Sequence, residues 1–175
     1  SGGRALSLGK TSIKDGVRWG SGIEGEKRKA AWGVLSAFLP DNSILFSCFR
    51  TQEDQDRIIR NYAKKYNYSG PDNLDKMLKF INDKGLIVAR KVGKGHGGKM
   101  GTGAFDVSGA DLDLIWEGVL AANEGSRRAV SFKGLNNGSI IERKNNTVHV
   151  QFSLSDVNLK KCEEFIKENM PEDGS

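Results

Sequence analysis

The amino-acid sequence predicts an α+β domain in which helices pack on a small antiparallel sheet. Three observations lead there. Apolar residues recur with helical spacing through the first half, the stretch after residue 128 alternates with the period-two pattern of strands, and Gly, Pro and Asn punctuate the two regimes. A chain of 175 residues can bury one substantial core, so one domain is expected over residues 23–170. A Gly- and Ser-rich irregular arm (1–22) precedes it and a polar tail (171–175) follows. There is no internal repeat.

The first helix begins near Glu24, with Ala31, Val34, Leu35 and Phe38 on one face, and Pro40-Asp41-Asn42 ends it. Residues 43–49, SILFSCF, form a short bounded apolar run that reads as a buried strand. A helix over 52–65 should turn Ile58, Ile59, Tyr62 and Ala63 inward, with Thr51 as N-cap and Glu53 and Asp54 complementing its dipole. Leu74, Met77, Leu78 and Ile81 make the stripe of a third helix, introduced by Gly70-Pro71-Asp72 and stopped by Gly85. That stripe is core. Residues 86–92 are ambiguous between a strand and a helix end, and they lead into a glycine-rich run over 93–109. A helix over 110–123 follows, packing Leu112, Ile115, Trp116, Val119 and Leu120, with its cap at Ser108 or just after. Strands are expected at 129–132, 139–143 and 147–152, the last two joined by a two-residue Asn145-Asn146 turn. A final helix over 157–168 would be capped by Ser155 or Asp156.

Lys plus Arg number 27 against 22 acids, a net charge of +5 that favours anionic surroundings. The basic residues are interleaved with acids and not clustered with aromatics, so no nucleic-acid partner is expected. Cys48 and Cys162 are too far apart to suggest a disulfide framework or a CxxC motif and read as buried thiols. No apolar run approaches the roughly 20 residues of a membrane span, and the start has no signal-peptide pattern. Neither a membrane partner nor an oligomer is expected.

Two histidines carry the chemistry. His96 lies in the glycine-rich run that also delivers Asp106, and His149 lies in the alternating stretch TVHVQF. Two imidazoles and one carboxylate leave a fourth position open for solvent, as a catalytic zinc ion requires. The residues alone equally allow a packed strand histidine and a loop histidine. A turn at Asn145-Asn146 would pair Lys144 with Thr147, Arg143 with Val148 and Glu142 with His149, putting a general base beside a ligand. The alternative is a solvent-facing Glu142 on an edge hairpin. GKGHGGKM nearly spells the phosphate loop GxxxxGK[ST], but Met100 replaces the hydroxyl and Gly101-Thr102-Gly103 cannot open a helix. Its glycines suit a backbone wrapped closely round a metal instead.

SCFRTQEDQ, residues 47–55, resembles the S-x-[YF]-R-[ST]-x-x-x-Q signature of the zinc D-alanyl-D-alanine carboxypeptidase and L-alanyl-D-glutamate endopeptidase family, whose fold group includes the hedgehog signalling domain. The family's S-x-H-x-x-G-x-A-x-D motif is echoed by His96 and Ala104-Phe105-Asp106, over a longer interval. Its late strand, in which His is followed by an aliphatic residue and an acid or amide, is echoed by His149-Val150-Gln151. The resemblance implies a hedgehog/D,D-peptidase fold with zinc held by His96, Asp106 and His149, and with Arg50 on the peptide carboxylate or the oxyanion. It gives Ser47 and Gln55 supporting roles in substrate binding. Where the family has its base glutamate, this chain has Asn146. Hedgehog-type relatives place an acid further upstream of the last His, which points to Glu142. The implied activity is zinc-dependent hydrolysis of peptidoglycan stem peptides at the bacterial cell wall, in a phage endolysin or virion. The alternative is a catalytically degenerate module that binds the wall or builds the virion.

Overall fold

The computed structural model describes residues 10–134 and 141–169. The start of the expected arm, Ser139 and Ile140 of the expected middle strand, and residues 170–175 with the polar tail lie outside the described residues. In chain order the elements are β1 (Ser12–Ile13), α1 (Gly22–Ser36), β2 (Ile44–Ser47), α2 (Gln52–Lys65), α3 (Leu74–Asp83), α4 (Lys94–Gly97), β3 (Thr102–Ser108), α5 (Leu112–Gly125), β4 (Phe132–Lys133), β5 (Ile141–Glu142), β6 (Thr147–Ser153) and α6 (Leu159–Asn169). The fold is α+β. No helix among the described residues is long and apolar enough to cross a membrane.

Among the described residues the sheet has six strands, in the order β1-β2-β3-β6-β4 with β5 also paired to β6. It is mixed rather than antiparallel, because β1 runs parallel to β2 while the other pairs are antiparallel. β1 lies in the stretch expected to be an irregular arm. Ser12 donates to the Ser43 carbonyl and Lys14 to the Leu45 carbonyl, so backbone pairing holds this segment although its side chains show no strand pattern.

β3 and β6 divide the molecule into two faces. Phe105 pairs with Val150 and Val107 with Val148, and all four are buried with Leu45, Phe132 and Phe152. α1, α5 and α6 cover this face with Ala31, Val34, Leu35, Ile115, Val119 and Cys162. Ala104, Asp106 and Ser108 therefore point to the opposite face with Thr147, His149 and Gln151, by the period-two alternation of strands. A second small cluster, Ile59, Ala63 and Ile81, joins α2 to α3.

Several expectations required correction. β3 is the central strand, yet Thr102-Gly103 disguises its start as loop; a Cβ at Gly103 would stand 2.5 Å from the Phe152 ring, so the position has no room for a side chain. Residues 86–92 form neither strand nor helix. Side chains satisfy that backbone instead: Gln55 donates to the Ala89 carbonyl, Gln52 donates to that of Arg90, and Gln52 Oε1 accepts from the Val92 N–H. β2 is not buried throughout, since Phe46 is 43% exposed on the face without α1. In α5 the inward positions are Leu112, Ile115, Val119 and Ala122, which turns Leu120 outward. The last helix starts two residues later than expected, because Ser155 and Asp156 sit in a 3-10 turn and Asn158 accepts from the Lys161 N–H.

α2 follows its sequence signals closely. Thr51 and Asp54 form a reciprocal cap, with Asp54 N–H donating to Thr51 Oγ1 at 3.1 Å and Thr51 N–H to Asp54 Oδ2 at 2.9 Å. Thr51→Ala is expected to cost about 1 kcal/mol in denaturant melts. Burial alone raises the Asp54 carboxyl, but the Thr51 N–H, Arg57, the Thr51 hydroxyl and Arg18 outweigh it and hold it below its ordinary 3.8. A group lowered on folding stabilises above its unfolded value and loses that contribution as the pH falls through its folded value. Asp54→Asn should therefore be less stable than wild type at neutral pH, with the gap closing on acidification, as chemical denaturation across a pH series will register.

Candidate metal centre

Asp106 on β3 lies directly opposite His149 on β6, and on its other side the register places it opposite Ser47 of β2, after an irregularity between Leu45 and Ser47. Directly opposed residues share a face, so the sheet itself brings this carboxylate and imidazole together. His96 arrives from outside the sheet. α4 is one helical turn ended by the left-handed Gly98 (φ 70°), and two hydrogen bonds fasten it to the chain leaving β2. Arg50 N–H donates to the His96 carbonyl at 2.8 Å, and His96 Nδ1 lies 2.6 Å from the Cys48 carbonyl.

A carbonyl only accepts, so His96 carries its proton on Nδ1 and turns Nε2 toward Asp106. Nε2 is buried and 3.0 Å from Asp106 Oδ2, yet among the described residues it makes no hydrogen bond. The separation suits a bond; the direction does not. His149 Nδ1 is 3.0 Å from Asp106 Oδ1, and its Nε2 is 3.0 Å from Gln151 Oε1. The two rings meet edge to face with centroids 5.1 Å apart. The three donor atoms lie within 4.8 Å of one another, close enough to hold a metal ion. An unbonded buried imidazole nitrogen, a second imidazole and a carboxylate are a donor set that fits a divalent transition ion and leaves coordination positions open. These three donors do not by themselves select the metal.

Burial alone would raise the Asp106 carboxyl; the two imidazoles of His96 and His149 that face its oxygens overcome it and hold the group far below the usual carboxylate range. Arg50 reaches the same carboxylate, with Nη2 3.0 Å from Oδ2, while its Nη1 donates to Gln55 Oε1 at 3.0 Å. Gln55 is buried and fixed in turn by the Ala89 carbonyl at 2.7 Å. Arg50, Ser47, Gln55, His96, Asp106 and His149 all line one cleft of about 1020 Å³. That lining carries six Lys and Arg residues against three Asp, and both Asp54 and Asp106 are already ion-paired. The cleft therefore favours an anionic ligand.

The hairpin differs from expectation. Residues 143–145 form a 3-10 turn, Asn146 is left-handed at φ 52°, and the backbone pairs Glu142 with Thr147 and Ile141 with Val148. Glu142 is thus not opposite His149. The turn takes up four residues rather than two, which displaces the register by two and keeps position 142 in phase with 147 and 149, one step farther along. Two groups at the centre receive no role from the sequence, although Gln151 is named in the His149-Val150-Gln151 motif. Gln151 was within reach, because it lies two residues beyond His149 on the same strand face. The Cys48 carbonyl was not, since a backbone acceptor leaves no trace in residue type.

Binding of a divalent ion here is expected to stabilise the chain, by about 2.7 kcal/mol at a free concentration a hundred times the dissociation constant. Calorimetric melts with and without added zinc, manganese or nickel should show the upward shift in wild type and none in Asp106→Ala. Comparison of the chain with protein-family models, with curated proteins and with solved structures found no match in any of the three.

Proposed function

We propose that this chain is a zinc-dependent peptidase of the hedgehog/D,D-peptidase type, hydrolysing a peptide bond in bacterial peptidoglycan stem peptides. One observation carries the reading: His96, Asp106 and His149 converge from three separate elements on a cleft that also presents Arg50. Zinc bound there supplies Lewis-acid polarisation of a carbonyl and activation of water near neutral pH. Two imidazoles and one carboxylate with open positions are a donor set that a catalytic zinc ion uses.

The chain's own residues divide the remaining work. Arg50 binds the substrate carboxylate or the developing oxyanion, a task suited to its rigid fork of donors. Its Nε is buried and makes no hydrogen bond among the described residues. Gln55 holds that guanidinium in place through Nη1, and Ser47 borders the substrate beside Asp106. Glu142 takes the proton from the attacking water and returns it to the leaving amine. The setting is the bacterial cell wall, reached from a phage endolysin or virion.

A second reading, a degenerate module that binds the wall or builds the virion, is favoured by Asn146 at the family's base position and by the pairing of Glu142 with Thr147. Release of peptide ends from purified peptidoglycan, measured alongside metal content, separates the two. Wild type is expected to hold one zinc per chain and to release product, and His149→Ala to lose both. Glu142→Gln should keep its zinc and slow release by about a hundredfold or more. Full activity in Glu142→Gln removes that residue as base, whereas zinc-loaded wild type inert on every wall chemotype supports the degenerate module.

A further inference from the structure

Each imidazole at the centre is backed by an oxygen on the side away from Asp106. For His96 it is the Cys48 carbonyl, 2.6 Å from Nδ1; for His149 it is Gln151 Oε1, 3.0 Å from Nε2. Both oxygens only accept. Each can accept an N–H, an arrangement that would leave the opposite nitrogen's lone pair for the centre: Nε2 of His96 and Nδ1 of His149. The first backing is main chain and survives any substitution at Cys48. The second is a side chain.

We infer that Gln151 is a positioning residue for the metal centre, holding the His149 proton on Nε2 so that Nδ1 presents its lone pair to the ion. The reason it is needed lies across the ring. Asp106 Oδ1 is 3.0 Å from Nδ1, and a carboxylate oxygen is an acceptor, hence a competitor for the same proton. A proton on Nδ1 would satisfy Asp106 and occupy the lone pair that a metal requires. Gln151 supplies the opposing pull, and a ligand imidazole backed by an acceptor is also a stronger base toward its metal.

The packing around the amide is built for it. Gln151 pairs across the sheet with Ala104, and a Cβ at Gly95 would stand 2.8 Å from the Ala104 Cβ and 3.0 Å from Gln151 Oε1. Two small residues thus make the slot in which the amide oxygen reaches His149. The glycine at 95 serves this close approach of α4 to β3 and β6, in a turn with ordinary right-handed backbone.

This assignment rests on the metal-centre reading, and the test separates the two. Zinc affinity would be measured by competition with a chromophoric chelator for wild type, Gln151→Leu and Gln151→Glu, with folding checked by circular dichroism. Nitrogen-15 histidine spectra of the zinc-loaded proteins locate the remaining ring proton. Gln151→Leu is expected to bind zinc about 10- to 100-fold more weakly. Gln151→Glu, which keeps an acceptor, should bind at least as tightly as wild type, and the wild-type spectra should place the His149 proton on Nε2. Wild-type affinity in the leucine variant, equal loss in the glutamate variant, or a zinc-loaded wild type with the proton on Nδ1 each overturns the assignment. A wild-type chain that takes up no zinc overturns the zinc centre itself, with the peptidase reading and this assignment.

Discussion

The pairing of Asp106 with His149 across β3 and β6 is the constraint on which both the core and the candidate site depend. Successive strand residues point to opposite faces, so burying Phe105, Val107, Val148, Val150 and Phe152 beneath α1, α5 and α6 commits Asp106 and His149 to the other side. A slip of one residue on β3 would drive Asp106 into the helices and expose Phe105. Each fully buried side chain of this size contributes roughly 1.5–3 kcal/mol, so the apolar face fixes the register far more firmly than the polar contacts could. The hydrophobic pattern of the strands thus positions two of the three candidate metal-binding side chains.

The third side chain depends on a different set of contacts. α4 is too short to be stable alone and is held by the Cys48 carbonyl and the Arg50 N–H. Beneath it lies Arg28, only 1% exposed, with Nη1 donating to the Trp19 carbonyl at 2.9 Å and its guanidinium 4.8 Å from the Phe49 ring centre. A Cβ at Gly98 would come within 2.7 Å of Arg28 Nη2, so the end of α4 rests on this cation. Arg28 in turn binds the segment between β1 and α1, which also bridges Phe49 through Arg18. The N-terminal stretch is therefore part of the scaffold that seats His96. A buried guanidinium is a costly support, with Nε and Nη2 making no hydrogen bonds among the described residues; its ring contact and the Trp19 carbonyl offset part of its desolvation.

What the sequence disclosed follows from the range of the interactions involved. α2 was legible to the residue, because Thr51, Asp54 and the spacing of Ile59 and Ala63 are local signals. The ligand residues were legible as types in context, and the structure brings all three together. β3 was hidden because a strand buried on both sides can contain glycine where a partner ring fills the space, as Phe152 does at Gly103. β1 was hidden because backbone hydrogen bonds with no side-chain pattern hold it. The hairpin register failed for a subtler reason. Asn145-Asn146 has the composition of a tight turn, but only Asn146 of the pair is left-handed, and the preceding 3-10 turn takes up the extra residues. Composition identified the turn and not its length.

Asp106 divides its two oxygens unequally. Oδ1 faces His149 alone among these partners, whereas Oδ2 faces both His96 Nε2 and Arg50 Nη2, each at 3.0 Å. An ion held by the three donors and the Arg50 guanidinium therefore draw on one carboxylate, and each reduces the negative charge that it offers the other. The guanidinium then has reason to turn to a second anion, and the cleft beside it, with its excess of Lys and Arg, is where such an anion would be drawn. Binding of an ion by the three donors and of an anion by Arg50 would thus be coupled through Oδ2. Gln55 sets the limit of that coupling, because its hold on Nη1 keeps the guanidinium at the cleft wall whichever partner Nη2 takes.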